Sequence, residues 1–315
     1  MPTRRLVLAG TAALLALTAL ILAGCGDTIA MSDPASVDEE EMLREFVEED
    51  GMFDDLGPYE AGFESSGGSG SRDVIDPLTF WRHVTDRDRT VDVDFDPETG
   101  IANVTVYREI WGVLHILGED MVEYEKPFHH TGLRYATFLR DEDWEPPQGG
   151  SGSEGQGQQQ GQDGEQGVRN RFRHGPWELT AISGFVGESD TLTVTMADIT
   201  VESATVNVTI TDPLELLAVP DEVLAFQVGE EVTVTVTGAP DDAILFLHTR
   251  HWKSPFAPQG GGVFVGTWTV ERPGRHCAWV EALAHDSIYD TDHPEDTLVW
   301  GMPYVVEGDD LEEIE

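Results

Sequence analysis

The sequence predicts a protein of α+β to mainly β class, built as an N-terminal α+β domain followed by an antiparallel β-sandwich. Three observations carry this. Apolar and polar residues alternate through long stretches between residues 90 and 211, the period of strands with one buried face. From Pro213 the texture becomes a succession of short apolar runs separated by Gly and Pro turns, the signature of a sandwich. Helical spacing appears in only two short stretches. A length of 315 residues suits two domains, and 40% hydrophobic with 9% aromatic residues is enough for real cores.

Taken in order, residues 1–24 form a signal segment. Arg4 and Arg5 make a positive start, an uncharged run from Leu6 to Leu22 follows, and Ala23-Gly24 precede Cys25. The alternative, an uncleaved span, is at the short end of what crosses a bilayer. Residues 25–71 are an acidic tether. Within it, 38–60 carry eleven acids against Arg44 alone, and Met42, Leu43, Phe46 and Val47 form one stripe of a helix over about 38–50. Acids in its first turn suit the helix dipole, and Gly51 is a natural stop. The helix docks on the next domain or stands free as an acidic arm. The run 65–71, SSGGSGS, has linker composition.

Residues 72–212 form the α+β domain. A short helix is expected over 73–85, entered at Asp76-Pro77. Asp96-Pro97-Glu98-Thr99-Gly100 reads as a turn, and 101–117 as a long strand. Further strands are expected at 132–139, 168–173, 177–183, 191–196 and 204–211. Residues 148–167 hold eight Gly and seven Gln among twenty, so they are a disordered insertion or a domain boundary. Residues 213–307 form the sandwich, with strands at 223–227, 232–237, 243–248, 263–270, 276–283 and 297–306. An acidic tail, 308–315, ends the chain.

Charge excludes some functions. There are 18 Lys plus Arg against 60 Asp plus Glu, a formal net charge of −42. Such a surface does not displace counterions from nucleic acid and does not dock on anionic lipid headgroups. Only Lys126 and Lys253 are lysines. Acidic excess with scarce lysine resembles proteins of salt-loving organisms; a GC-rich genome, which favours Arg over Lys, is the competing account. Two cysteines cannot build a disulfide framework.

The ending Leu22-Ala23-Gly24-Cys25 resembles the lipobox of prokaryotic lipoproteins. That resemblance implies a diacylglyceryl group on the Cys25 thiol, cleavage before Cys25, and anchoring to the membrane through acyl chains. Gly26, where an Asp would retain the protein in the inner membrane, implies the outer membrane or cell surface. Thr3-Arg4-Arg5-Leu6 is weakly similar to a twin-arginine export signal, with Val7 where that family prefers Phe.

The stretch 261–270, GGVFVGTWTV, with 273–280, PGRHCAWV, resembles the last strands of bacterial immunoglobulin-like domains. His276 takes the usual tyrosine place, and Cys277 has no partner for the inter-sheet disulfide. The middle part resembles the nuclear-transport-factor-two-like cone. The residues carrying this are Phe80-Trp81 in the expected helix, the strand 101–117, and 172–182, FRHGPWELTAI. The cone resemblance implies a curved sheet with helices in its concavity, and a possible ligand pocket.

Strand parity places Tyr107, Glu109, Trp111 and His115 on one face of 101–117. In a cone they are the ligand-pocket candidates; otherwise they form a half-solvated outer sheet face. The opposite parity, Val104, Val106, Ile110, Leu114 and Ile116, is apolar apart from Arg108 and Gly112, and reads as the core face.

Other chemistry is weaker. His129 and His130 point to opposite faces of a strand, and His248 and His251 do not converge, so no metal centre is expected from them. The acids of 290–296 offer oxygen ligands for calcium or form a solvated loop. Adjacent His285-Asp286-Ser287 cannot make a catalytic triad, and no GxSxG, Walker or GxGxxG motif occurs. Cys277 reads as a buried structural thiol. Asn103 and Asn207 open glycosylation sequons.

No catalytic residue, cofactor or metal is called for. The expectation is a lipid-anchored envelope protein that acts as a non-catalytic binding or scaffolding module. The alternatives are a cone-domain small-ligand binder or isomerase-like enzyme, and a calcium-dependent adhesin.

Overall fold

The computed structural model describes residues 34–54, 57–59, 63–64, 75, 77–141, 173–249 and 252–307. The signal segment with Cys25, the run 65–71, the Gly/Gln run 148–167, His251 and the tail 308–315 lie outside the described residues.

The order of elements is α1 (Pro34–Glu49), α2 (Gly51–Asp54), a 3-10 turn (Gly57–Tyr59), β1 (Phe63–Glu64), β2 (Pro77–Asp96), β3 (Ile101–Gly118), β4 (Glu123–Arg140), β5 (Arg173–His174), β6 (Trp177–Ile182) and β7 (Phe185–Ser189). There follow β8 (Asp198–Glu202), β9 (Asn207–Ile210), β10 (Leu217–Ala218), β11 (Leu224–Gln227), β12 (Glu231–Thr237), β13 (Ile244–Thr249) and β14 (Trp252–Pro255). Last come β15 (Ala257–Gly260), β16 (Val263–Thr269), β17 (Gly274–Leu283), α3 (His285–Tyr289) and β18 (Thr297–Glu307). Over the described residues the protein is therefore mainly β, with two sheets and few helices.

Three long strands dominate the first half. At 18 residues each, β3 and β4 reach about 60 Å. The β2–β3 turn is written in the sequence. Asp96 accepts bonds from the Glu98 amide and the Thr99 hydroxyl, each at 2.9 Å, and Gly100 takes φ +69°. Asp120 closes the β3–β4 turn by accepting from the Val122 amide at 3.0 Å. Along β3, burial alternates residue by residue, with Val104, Val106, Ile110, Leu114 and Ile116 all inside.

The larger sheet runs β1-β2-β3-β4-β7-β18-β17-β13-β14, with β6 also on β4 and β11 parallel to β18. The smaller sheet runs β15-β16-β12-β8-β9. The two pack as a sandwich through Val232, Val234, Phe264 and Trp268 on one side, and Leu247, Val280, Trp300 and Met302 on the other. The larger sheet then curls back on itself. The second face of β13 and β17, carrying Phe246, Trp279 and Leu283, meets Phe80, Ile110, Leu114 and Phe128 from β2–β4. Strands β17 and β18 thus form a middle layer. This is why β18 is buried from Thr297 to Val306 and reads as an apolar run rather than an alternation. Helices α1 and α2 cover the rest of the inner face, where Leu43, Val47, Met52 and Phe53 join Val104, Val106, Phe138 and Trp177.

Several expectations are corrected. The helix expected over 73–85 is the start of β2. Pro77 begins that strand opposite Gly118, and a bulge between Val84 and Asp86 breaks the alternation that would have identified it. One feature behind the cone resemblance is thereby lost. No strand forms over 191–196; its amides at Thr193 and Val194 bond the Asp296 carboxylate instead of a neighbouring strand. Helix α1 starts at Pro34, so the acids 38–41 fall beyond its first turn and do not act on its N-terminal dipole. Strand pairing also runs across the boundary expected at residue 213, since β8 lies between β9 and β12.

Candidate functional site

Five basic side chains, Arg82, Arg108, Lys126, His130 and Arg134, point to the inner face of β2–β4 and are buried there. The second half of the chain supplies partners. Arg82 donates to Glu281 and, at 2.7 Å, to Glu295. His130 bonds Glu295 through Nε2 at 2.6 Å and the Tyr59 hydroxyl through Nδ1 at 3.0 Å. His248 donates from Nε2 to Glu281 at 2.8 Å, and the Lys253 ammonium lies 3.8 Å from the same carboxylate. Lys126 donates to the carbonyls of Asp286, Ser287 and Asp290 at the end of α3. Arg134 donates to the carbonyls of Met52 and Gly184, and its Nη2 lies 3.4 Å from Cys277 Sγ.

Protonation follows from these contacts. Burial works to raise the Glu295 carboxyl, but His130 and Arg82 outweigh it and hold the group at about 2. Glu281 behaves alike: burial opposes its ionisation, and Arg82 with Lys253 pulls it well below the usual carboxylate range. Burial lowers His248, which favours the neutral ring that donates through Nε2. Burial also lowers Lys253, to about 8. Every carboxylate oxygen of this cluster meets a donor from its own chain, so the cluster joins β2 and β4 to β13, β14, β17 and β18. Two expectations change here. Glu295 and Asp296 do not belong to a solvated loop, because both are buried and bonded. Cys277 is buried as expected, but a guanidinium from β4 lies against it.

The outer face of the same three strands is different. Tyr107 is exposed, while Glu109, Trp111 and His115 are half-buried. All four share this face, as strand parity requires. Cross-strand register adds residues that the sequence does not place. Trp81, His115 and Glu125 form one row, and Trp111 pairs with His129 in another. The Trp81 ring stacks flat on His115, centroids 5.1 Å apart and planes 4° apart, and Trp111 stacks on His129 at 4.9 Å and 10°. The His83 ring lies next to His115 at 6.2 Å.

Carboxylates complete both units. His115 Nδ1 is 2.8 Å from Glu123 and 3.7 Å from Glu125. His129 lies between Asp190, 2.9 Å from Nδ1, and Glu109, 3.5 Å from Nε2. Glu109 and His115 therefore do not pair with each other, and Tyr107 stands apart. The sequence does not place Trp81 and His83 on this face, because the start of β2 reads as helix in it. It missed the roles of Glu123, Glu125 and His129 because they depend on the β3–β4 register. The parity of Glu123, Glu125, Pro127 and His129 along one strand is the signal that could have grouped them. An open cleft of about 660 Å³ adjoins this face at the β2 edge, lined by Tyr59, Trp81, Arg82, His83, Thr85 and Asp86 among others.

Compared with protein-family models, with curated proteins and with solved structures, the chain matches none of them.

Proposed function

We propose that this chain is an exported, lipid-anchored envelope protein that works as a non-catalytic binding module, with the outer face of β2–β4 as its binding surface. One observation carries the reading: two parallel Trp–His stacks stand ordered on a face that no described element of the chain covers. Aromatic side chains with polar edges are favoured in interfaces, because they bury much area at little entropic cost. The carboxylates around them, Asp86, Asp88, Glu109, Glu123, Glu125 and Asp190, suit a partner of positive charge. The inner charge cluster supports a non-catalytic role, since its carboxylates are consumed by internal bonds.

The anchor rests on the lipobox resemblance at Cys25. The outer domain is read as immunoglobulin-like. In support, β15-β16-β12 and β18-β17-β13-β14 follow the D-E-B and G-F-C-C′ strand orders of that fold. Among the described residues no helix is long and apolar enough to cross a membrane.

The test is native mass spectrometry of the full chain, extracted from the membrane that produces it under non-denaturing conditions. The expected mass begins at Cys25 with acyl chains and carries an additional bound mass, which Trp111→Ala removes. A mass retaining residues 1–24 overturns the anchor. A bound mass that survives Trp111→Ala, or no bound mass at all, overturns the binding face.

A further inference from the structure

We propose that the turn end of the β3–β4 hairpin is a site for a divalent transition-metal ion, with His115, Glu123 and Glu125 as ligands. The proposal rests on the reading of the outer face as the binding surface and names a ligand for it.

The geometry comes from the backbone. Glu125 sits directly opposite His115 in the β3–β4 register, and Glu123 is two residues away on the same face of β4. The His115 nitrogen and one oxygen from each carboxylate all lie within 4.8 Å of one another. Donors about 2.1 Å from a zinc ion stand about 3.4 Å apart in a tetrahedron. The His115–Glu123 and His115–Glu125 separations of 2.8 and 3.7 Å bracket that spacing. Closing on an ion needs only small side-chain rotations, with the strands left in place.

Trp81 supplies the support that a binding imidazole needs. Its flat stack fixes the plane of the His115 ring, and the cross-strand register fixes Trp81. His83, opposite Val113 in the next row, lies with its ring 6.2 Å from that of His115, on the side away from Glu123. The site is open to solvent, with Glu123 and Glu125 both exposed, so an ion and a partner's side chain reach it together.

The donor set selects the class of ion. Calcium and magnesium take oxygen ligands, whereas an imidazole beside two carboxylates suits zinc, copper or nickel. Two carboxylates crowded on one imidazole also repel each other, and a divalent ion relieves that repulsion. The His129 unit does not make a second site. Its two carboxylates lie against opposite ring nitrogens and so do not converge on one point.

The acidic surface attracts any cation diffusely, so the experiment must isolate the imidazole. Calorimetric titration of the full chain in detergent with zinc chloride in molar sodium chloride, which screens diffuse attraction, is expected to show a saturable single site. His115→Ala and Glu123→Gln should each weaken it at least about tenfold, while His293→Ala leaves it unchanged. Copper(II) added to the wild type should give nitrogen hyperfine splitting in its electron paramagnetic resonance spectrum, lost in His115→Ala. Titrations of His115→Ala and Glu123→Gln that overlay the wild type, or a copper spectrum without nitrogen, overturn the site. If the native bound mass is lost in Trp111→Ala and no metal binds, the metal site fails while the binding face stands. If that mass survives Trp111→Ala while zinc binds through His115, the face fails and the metal site stands.

Discussion

Glu295 illustrates how one buried side chain sets a pH response. Its carboxyl sits at about 2 in the folded chain against an ordinary value of 4.5. The folded state therefore holds the charged form more tightly than the unfolded state does, and stability from this group is present above about pH 4.5 and lost as pH falls toward 2. The shift corresponds to a stabilisation on the order of 3 kcal/mol. In urea unfolding followed from pH 7 to 2.5, the wild type should lose stability steeply below pH 4.5. Glu295→Gln should start less stable and show a shallower decline. At Gly112 the constraint is one of space instead of charge. A methyl group there would stand 2.4 Å from the His83 carbonyl and 2.5 Å from the Phe128 ring, and a strand carbonyl has little room to retreat. Gly112→Ala should cost about 1–3 kcal/mol in the same measurement. The sequence marked Gly112 only as an interruption of an apolar face. The reason for it lies in β2, which crosses beside it.

Among the elements, α1 was legible in outline and undecided in role. The stripe Met42, Leu43, Phe46 and Val47 predicted its buried side, but a stripe does not say what covers it. In the fold, Leu43 and Val47 are fully buried against the inner face of β2–β4, and the Phe46 ring meets Phe138 edge-on at 6.0 Å. The docked alternative is the one observed. Leu43→Ala should therefore cost about 2–5 kcal/mol in global unfolding, as core truncations do, instead of merely loosening an arm. The outer face shows the same limit. Parity along β3 grouped Tyr107, Glu109, Trp111 and His115 correctly. It could not show that His115 belongs with Glu123 and Glu125, or that Trp111 belongs with His129. Those groupings come from pairing between strands, which local periodicity does not contain.

For the whole molecule, charge distribution is the governing feature. The chain has two lysines: Lys126 is buried under α3, and Lys253 is half-buried beside Phe246 and Glu281. An amine-reactive reagent should leave Lys126 unlabelled in the native protein and label both lysines after unfolding, as peptide mass analysis would show. Labelling of Lys126 in the native protein would contradict this packing. A surface with so many carboxylates and so little positive charge repels itself when screening is weak. The melting temperature should therefore rise as salt goes from dilute to molar. A flat response would remove the salt-adapted reading and leave genome composition as the account of the scarce lysine.

By itself the sequence determined the mainly β class, the turn at Asp96–Gly100, most strands of the second half, the core parity of β3 and the acidic surface. Each is a local property, written in the alternation of side chains or in the turn residues themselves. Only the tertiary structure decided that 77–85 is strand rather than helix, because a bulge hides its period and pairing with β3 overrides its spacing. It also decided that β8 and β9 join the sandwich, and that Arg82, His130, Glu281 and Glu295 meet. Residues separated by up to 213 positions come together there because the larger sheet curls onto its own face. No window along the chain contains that closure.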